Sequence, residues 1–279
     1  MGRRVPKRYL VGFESMQTHS KQPIKISVNN VTKTFGHGTG NAVTAIDGFN
    51  LEIRDGELIS LLGPSGCGKS TFLYLIGGFE KITKGEILLD GVPITGPGSN
   101  RGVVFQEYVL FPWQTVARNI EYGLRLNNTP KEQRVARVKE LVRMIGLEGF
   151  EDVYPFTLSG GMQQRVSIAR AMAYDPDVML MDEPFGALDA QTRNKMLVDL
   201  IGIHEKTHKT ILFVTHSVEE AVMISDRVCL FSSRPSKVKE IIEIEIEHPR
   251  SVTDDRFVTY QKRLIDGLAE KDVGGQSDA

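Results

Sequence analysis

The run Gly63-Pro64-Ser65-Gly66-Cys67-Gly68-Lys69-Ser70-Thr71 carries the most specific chemistry in the chain and matches GxxxxGK[ST]. Its glycines let successive backbone N–H groups turn inward around an anion, and a helix starting at its end adds partial positive charge. In that pattern Lys69 reaches the β- and γ-phosphates of a nucleotide and the Ser70 hydroxyl binds Mg²⁺. Cys67 reads as a small filler rather than a nucleophile, since no histidine is near it in sequence. A second constellation is Val178-Met179-Leu180-Met181 running into Asp182-Glu183-Pro184. In open α/β sheets the carboxyl end of a strand is where ligands sit. There Asp182 is placed to hold Mg²⁺ or its water, and Glu183 to polarise an attacking water. Read without the phosphate loop, the same pair is equally the start of a polar turn. A third is Leu158-Ser159-Gly160-Gly161-Met162-Gln163-Gln164, which reads as another helix N-terminus able to bind a second anion or the far side of the first. By itself it is an ordinary serine-capped helix. Beside a complete phosphate loop it is redundant for one nucleotide.

The elements that must position these groups follow from periodicity. Ile24-Lys25-Ile26-Ser27-Val28 is apolar at every second residue, as a strand requires. Glu57-Leu58-Ile59-Ser60-Leu61-Leu62 is a short apolar run ending at Gly63, consistent with a buried parallel strand that feeds the loop. Glu86-Ile87-Leu88-Leu89 runs into the turn signal Asp90-Gly91. Thr129-Pro130-Lys131-Glu132 reads as an N-cap, a first-turn proline and a capping-box glutamate. Behind it Val135, Val138, Leu141, Val142 and Ile145 keep helical spacing until Gly146 stops the helix. Between about 111 and 174 the pattern is helical throughout. Strands return with Val178-Met179-Leu180-Met181 and Ile211-Leu212-Phe213-Val214, separated by a helix from about Ala190. Ile242, Ile244 and Ile246, alternating with glutamates, read as a half-exposed last strand. The order predicts an α/β sheet interrupted by a helical insert.

Composition sets the bounds. The 279 residues are 41% hydrophobic and 25% charged, ordinary for a globular chain. Lys and Arg total 34 against 35 Asp and Glu, so no chain-wide nucleic-acid surface is expected. Two cysteines, Cys67 and Cys229, are too few for a disulfide framework or a four-cysteine zinc site. No run of eighteen apolar residues is present to span a bilayer. Residues 1–22 carry Arg3, Arg4, Lys7 and Arg8 and read as a loose basic arm, either solvated or weakly drawn to anionic lipid headgroups. The apolar stretch after the arginines is too short for a twin-arginine export signal, and Pro6 spoils a myristoylation start. From Asp272 to Ala279 a frayed tail is expected.

Leu158 to Gln164 resembles the signature motif of ATP-binding-cassette ATPases, the motor subunits of ABC transporters. In that family the signature of one subunit closes over ATP held by the phosphate loop of the other, so a two-fold dimer holds two composite sites. The resemblance supplies a use for the second anion site. It runs over about residues 24–250, and further positions fall into its register. Phe35 stands where the family stacks an aromatic ring on adenine. Gln106 matches the loop glutamine that contacts Mg²⁺ or water and joins the helical insert to the core. Asp189 matches the loop that crosses the dimer interface, and His216 the switch histidine at the γ-phosphate. Each would be unremarked alone. The resemblance implies a P-loop NTPase (RecA-like) α/β core with an antiparallel β subdomain and an inserted α-helical subdomain. It divides the chain into the arm 1–22, an ATPase domain 23–250 with its helical subdomain at about 111–174, and a C-terminal helix with tail over 251–279. Implied with it are ATP and Mg²⁺, catalytic roles for Glu183, His216 and Gln106, and metal contacts from Ser70, Gln106 and Asp182. The implied partners are a second identical or homologous ATPase subunit, membrane permease subunits and, indirectly, an external solute-binding protein. The implied location is the cytoplasmic face of the cell's inner membrane.

Within the family, Glu183-Pro184-Phe185-Gly186-Ala187-Leu188-Asp189 looks like the bacterial importer form. Leu110-Phe111-Pro112-Trp113 resembles the nitrate, sulfonate and taurine group, as does Ser233-Arg234-Pro235, although Ser236 stands where that group has Gly. The segment after His216 is too short for the regulatory domain of sugar-importer ATPases. Trp113 has two readings, an anchor for a short permease helix or a side chain packed inside the helical insert. The rivals are an ABC ATPase working in DNA repair or translation, an exporter subunit, and a nucleotide-gated binding module with little hydrolysis. Long coiled coils or zinc cysteines would mark the first and a different residue at Phe185 the second, while intact Glu183 and His216 argue against the third.

Overall fold

A computed structural model describes residues 22–36 and 41–269. The expected basic arm, apart from Gln22, and the expected frayed tail lie outside them.

Two sheets share the α/β architecture. β1 (Ile24–Phe35), β2 (Val43–Arg54), β4 (Lys84–Leu89) and β5 (Val92–Pro93) form an antiparallel sheet in the order β2-β1-β4-β5. β3 (Leu58–Leu62), β6 (Arg101–Val104), β7 (Val178–Asp182), β8 (Thr210–Thr215), β9 (Arg227–Phe231) and β10 (Val238–Glu243) form the second, in the order β10-β9-β3-β8-β7-β6. All neighbours in it are parallel except the edge pair β9–β10. The central strands are buried on both faces, and their side chains divide by the two-residue period of a pleated strand. Val178, Leu180, Leu212 and Val214 face the core shared with the antiparallel sheet, while Met179, Met181, Ile211 and Phe213 face the core shared with the helices.

α1 (Lys69–Gly77) is the wedge between the two sheets. Its Phe72 ring meets Phe49 of β2 at 4.5 Å between centroids, and Phe49 meets Phe231 of β9 at 4.7 Å. Such a buried aromatic trio locks the antiparallel sheet onto the element that starts the phosphate loop's helix. The turn after β4 has positive φ at both Asp90 and Gly91, the two-residue hairpin geometry their sequence predicts.

α2 (Val116–Leu126), α3 (Lys131–Met144) and α4 (Gly160–Met172) occupy the helical stretch and bury Ile120, Leu141, Val142, Val166 and Met172 in one core. Two local expectations are corrected here. α3 starts one residue later than the capping-box reading required: Pro130, not Thr129, is the N-cap, and no side chain caps the helix. The Thr129 carbonyl instead accepts from Arg134, at 2.6 Å. The last strand also stops early. β10 ends at Glu243, and Ile244 and Ile246 are buried beyond the ladder, against α6 (Val218–Ile224) and α7 (Asp255–Ala269). The alternation records a buried face on which pairing fades, with the Ile244 N–H still donating to the Asp226 carbonyl at 2.8 Å. Gly146, at φ 63°, does stop α3. α5 (Ala190–Thr207) follows β7. No described helix is long and apolar enough to cross a membrane.

Candidate functional site

The loop from Gly63 to Gly68 joins β3 to α1 at the carboxyl edge of the parallel sheet. Gly66 and Gly68 have φ of 73° and 120°, a region that side chains with a Cβ seldom enter. A Cβ on Gly68 would lie 3.2 Å from the Ser236 hydroxyl and 3.3 Å from the Ala45 carbonyl, so the loop is pressed against β2 and the segment after β9. Ser236 is buried, and its Oγ donates to that carbonyl at 3.2 Å, which accommodates serine at the position where glycine was expected. No side chain caps α1, which leaves its first-turn N–H groups turned toward the loop's interior. Lys69 is buried and donates to the Gly63 carbonyl at 2.8 Å and the Pro64 carbonyl at 3.1 Å. Cys67 is buried beneath the loop, and burial pushes its thiol up. Thr71 is half-buried on α1 and Ser65 exposed in the loop.

Asp182 ends β7 and is buried. Ser70 Oγ donates to its Oδ1 at 2.8 Å, and Tyr74 Oη donates to its Oδ2 at 3.0 Å. Burial pushes the Asp182 carboxyl above the ordinary range, against the pull of the two hydroxyls and of Lys69. Tyr74 was not singled out from the sequence. Its position four residues after Ser70, on the same face of α1, was the signal that could have found it.

Glu183 and His216 follow the ends of neighbouring parallel strands, β7 and β8, and His216 Nδ1 is 3.0 Å from Glu183 Oε2. Gln106 sits two residues after β6, the strand on the other side of β7. Its Nε2 lies 3.9 Å from where a side chain on Gly186 would begin. Strand order thus draws Lys69, Ser70, Gln106, Asp182, Glu183 and His216 to one sheet edge although they span much of the sequence.

Behind His216 stands a buried carboxylate that sequence reading missed. Glu220 accepts from Thr215 Oγ1 at 2.6 Å, and Arg193 Nε lies 3.5 Å from its other oxygen. Burial pushes the Glu220 carboxyl up. Ser217-Val218-Glu219-Glu220 is a capping-box pattern, the available signal. Ser217 does cap α6 through the Glu220 N–H, while the Glu220 side chain turns to Thr215. Arg193 also donates to the Leu188 carbonyl at 2.8 Å, which links the loop around Asp189 to the end of β8.

Ser159 caps α4 by accepting from the Met162 N–H. A Cβ on Gly160 would lie 2.8 Å from Tyr108 Oη, and one on Gly161 2.7 Å from Thr192, so this helix start abuts the loop after Gln106 and the start of α5. Among the described residues, no hydrogen bond, ion pair or ring contact joins Ser159, Gly160 or Gly161 to the phosphate loop. Asp189 is exposed and caps α5 by accepting from the Thr192 N–H at 3.0 Å, a bond that holds its carboxyl below the usual range. Phe35 ends β1 opposite Val43, two residues before Ala45, with its ring 40% exposed and Lys33 Nζ 4.6 Å from the centroid. Trp113 is 71% exposed, which rules out packing inside the helical insert. Buried Asn119 holds the loop below it, bonding both the N–H and the carbonyl of Phe111 and the carbonyl of Gln114.

An oxygen pair of hydroxyl and carboxylate, Ser70 with Asp182, is the hard donor set that Mg²⁺ takes when phosphate oxygens and water complete its shell. No group of three or more His, Cys, Asp or Glu among the described residues could hold a metal unaided.

Comparison with known proteins places this geometry. The ABC transporter family profile matches residues 46–186. An uncharacterized ABC transporter ATP-binding protein of Methanocaldococcus jannaschii is 49% identical over 258 residues, covering 92% of this chain and 96% of its own length. The aliphatic sulfonates import ATP-binding protein of Bacillus cereus is 42% identical over 240 residues, covering 86% of this chain and 94% of its own length. The bicarbonate transport ATP-binding protein of Synechococcus elongatus is 48% identical over 232 residues, which are 82% of this chain but 35% of that protein. Among solved structures, a dimeric ATP-binding cassette in a post-hydrolysis state, bound to ADP and Pi, superposes with a TM-score of 0.67 at 34% identity, covering 80% of this chain and all of that one. The cbiO1 protein of Clostridium perfringens, part of an ABC transporter complex, superposes with a TM-score of 0.72 at 26% identity, covering 80% of this chain and 89% of its own.

Proposed function

Because this chain belongs to the ABC transporter family as an ATP-binding subunit, we propose that it hydrolyses ATP at the edge of its parallel sheet to drive an importer of the nitrate, sulfonate and taurine type. The observation that carries the reading is the approach of His216 to Glu183 beside the Ser70–Asp182 pair. ATP lies along the loop from Gly63 to Thr71. Lys69 exchanges its two carbonyl partners for β- and γ-phosphate oxygens, and Phe35 supports adenine from the β1 side. Ser70 and Asp182, with Gln106 through its amide or a water, hold Mg²⁺, which when bound neutralises charge on the phosphate oxygens. Glu183 orients the attacking water and accepts its proton, while His216 holds the Glu183 carboxylate in place. Catalysis is then positioning and charge stabilisation.

The separation of Ser159, Gly160 and Gly161 from the phosphate loop within one chain supports a head-to-tail pair of cassettes. Each signature helix then covers ATP bound to the other copy, with Asp189 at the seam. The structural relative bound to ADP and Pi is described as dimeric. The division proposed is an ATPase domain over 23–250, a helical subdomain at about 111–174, and a C-terminal helix with tail over 251–279. The remaining partners proposed are permease subunits and an external solute-binding protein, with this chain on the cytoplasmic face of the inner membrane. The sulfonate import relative supports the substrate group. Affinity purification from the native membrane tests the reading. Permease subunits should co-purify, and ATPase activity in proteoliposomes should rise with the matching binding protein and an oxyanion solute. Purification without any membrane subunit would overturn it.

A further inference from the structure

Tyr74 is a polar side chain whose hydroxyl the reading above leaves without a task. It is half-buried on α1, and its hydroxyl donates to Asp182 Oδ2 at 3.0 Å while Ser70 donates to Oδ1 at 2.8 Å. The carboxylate is therefore bracketed, one hydroxyl per oxygen, which fixes both its rotation and its tilt. The two brackets differ in chemistry. Ser70 is short, lies next to Lys69, and can turn its hydroxyl lone pairs to a cation. Tyr74 reaches Asp182 from one helical turn further along, and its ring forms a triangle with two others. Phe79 and Phe105 each lie 6.4 Å away between centroids, Phe79 edge-on and Phe105 tilted. Phe105 precedes Gln106, and Phe79 is 51% exposed at the end of α1. One side chain thus touches the buried aspartate, the residue leading into the Gln106 loop and an aromatic that reaches the surface.

We propose that Tyr74 is a positioning residue for divalent-cation binding, holding the Asp182 carboxylate through its hydroxyl and seating that hydroxyl by packing against Phe79 and Phe105. The proposal rests on the reading of Asp182 as a metal-holding residue. A neighbour that orients a metal-binding carboxylate changes metal affinity without touching the metal, and removing one lowers affinity by roughly tenfold or more. The phenol is suited to this because it donates without being able to join Asp182 in carrying negative charge at neutral pH.

The test is the affinity for ADP of the full chain, measured by calorimetry once in EDTA and once in saturating Mg²⁺, for the wild type, Tyr74→Phe and Asp182→Asn. The ratio of the two affinities reads the metal's contribution alone. Tyr74→Phe keeps the ring packing, so its EDTA affinity should match the wild type while the ratio falls about tenfold. Its melting temperature should drop by no more than the loss of one part-buried hydrogen bond allows. Mn²⁺ binding to the ADP-loaded protein, followed by electron paramagnetic resonance, should weaken in parallel. If Tyr74→Phe lowers both affinities together, its role is structural and the proposal fails. If it leaves the ratio intact while Asp182→Asn collapses it, the proposal fails and the metal reading of Asp182 survives. If Asp182→Asn also leaves the ratio intact, the metal reading falls and takes the proposal with it.

Discussion

His216 Nδ1 stands 3.0 Å from Glu183 Oε2 across the ends of two parallel strands whose last paired residues are Asp182 and Val214. Glu183 reaches that point in the left-handed region, at φ 42°, where a non-glycine residue is strained. Its N–H is tied to the Val214 carbonyl at 3.1 Å. His216 comes from the exposed side and Glu183 from the half-buried side, so the pair spans the boundary between solvent and the sheet edge.

Glu183→Gln keeps the shape and removes the proton acceptor. ATP affinity should stay within about twofold of wild type, while turnover falls by 10²-fold or more. Gel filtration with ATP should then show a lasting dimer. His216→Ala should slow turnover less, by about tenfold to a hundredfold, since it removes the group that holds the carboxylate rather than the carboxylate itself. Normal turnover in Glu183→Gln would remove that residue from the mechanism.

Phe35→Ala removes an exposed ring whose only described ring contact with a cation is Lys33. Stacking on a flat aromatic contributes about 1 kcal/mol, so the KM for ATP should rise roughly fivefold with kcat unchanged. The melting temperature should not move. A KM equal to wild type would show that adenine rests elsewhere.

Trp113→Ala removes an exposed indole that leans on Phe111 at 5.8 Å between centroids. Because Asn119 holds the loop by its backbone, the fold and ATP binding should survive. In proteoliposomes the permease-dependent rise in hydrolysis should be lost. Unaltered coupling there would sink the anchor role.

His248 gives stability a pH dependence. Burial, reinforced by the charge of Arg250, lowers its imidazole to about 4. The unfolded chain takes up that proton near pH 6.5, before the folded one does. This contribution is therefore complete above about pH 6.5 and is lost as pH falls toward 4, at a limit of about 3 kcal/mol. Urea unfolding of wild type and His248→Gln between pH 7 and 4.5 checks it. The variant should lose less stability across that range, and parallel curves would contradict the assignment.

Local patterns carried much of the chemistry. The phosphate loop is legible because its glycines, Lys69 and Ser70 act within one turn of chain. Asp90-Gly91 and Gly146 are legible because the left-handed backbone they adopt favours those residue types. The capping-box reading at Thr129 misplaced the helix start by one residue, because the actual N-cap is Pro130 and Thr129 is held through its carbonyl by Arg134. Ile244 and Ile246 keep the strand's alternation because helices pack on that face, although beyond Glu243 the ladder gives way to a bond from the Ile244 N–H to the Asp226 carbonyl. β2, β6 and β9 were not expected; β6 and β9 lie beside β7 and β3, which are distant in the chain.

Sequence by itself determined the types of group available: an anion-cradling loop, a buried strand ending in two carboxylates, and a second capped helix start. Each is a short-range property of backbone conformation and side-chain spacing. Only the tertiary structure decided which of them meet. Tyr74 touches Asp182 across 108 residues because α1, which follows β3, packs against β7. His216 touches Glu183 across 33 because β7 and β8 are parallel neighbours whose carboxyl ends share one edge. The same packing held Ser159 away from the phosphate loop and turned Trp113 outward, decisions that depend on the faces left over once the cores are filled.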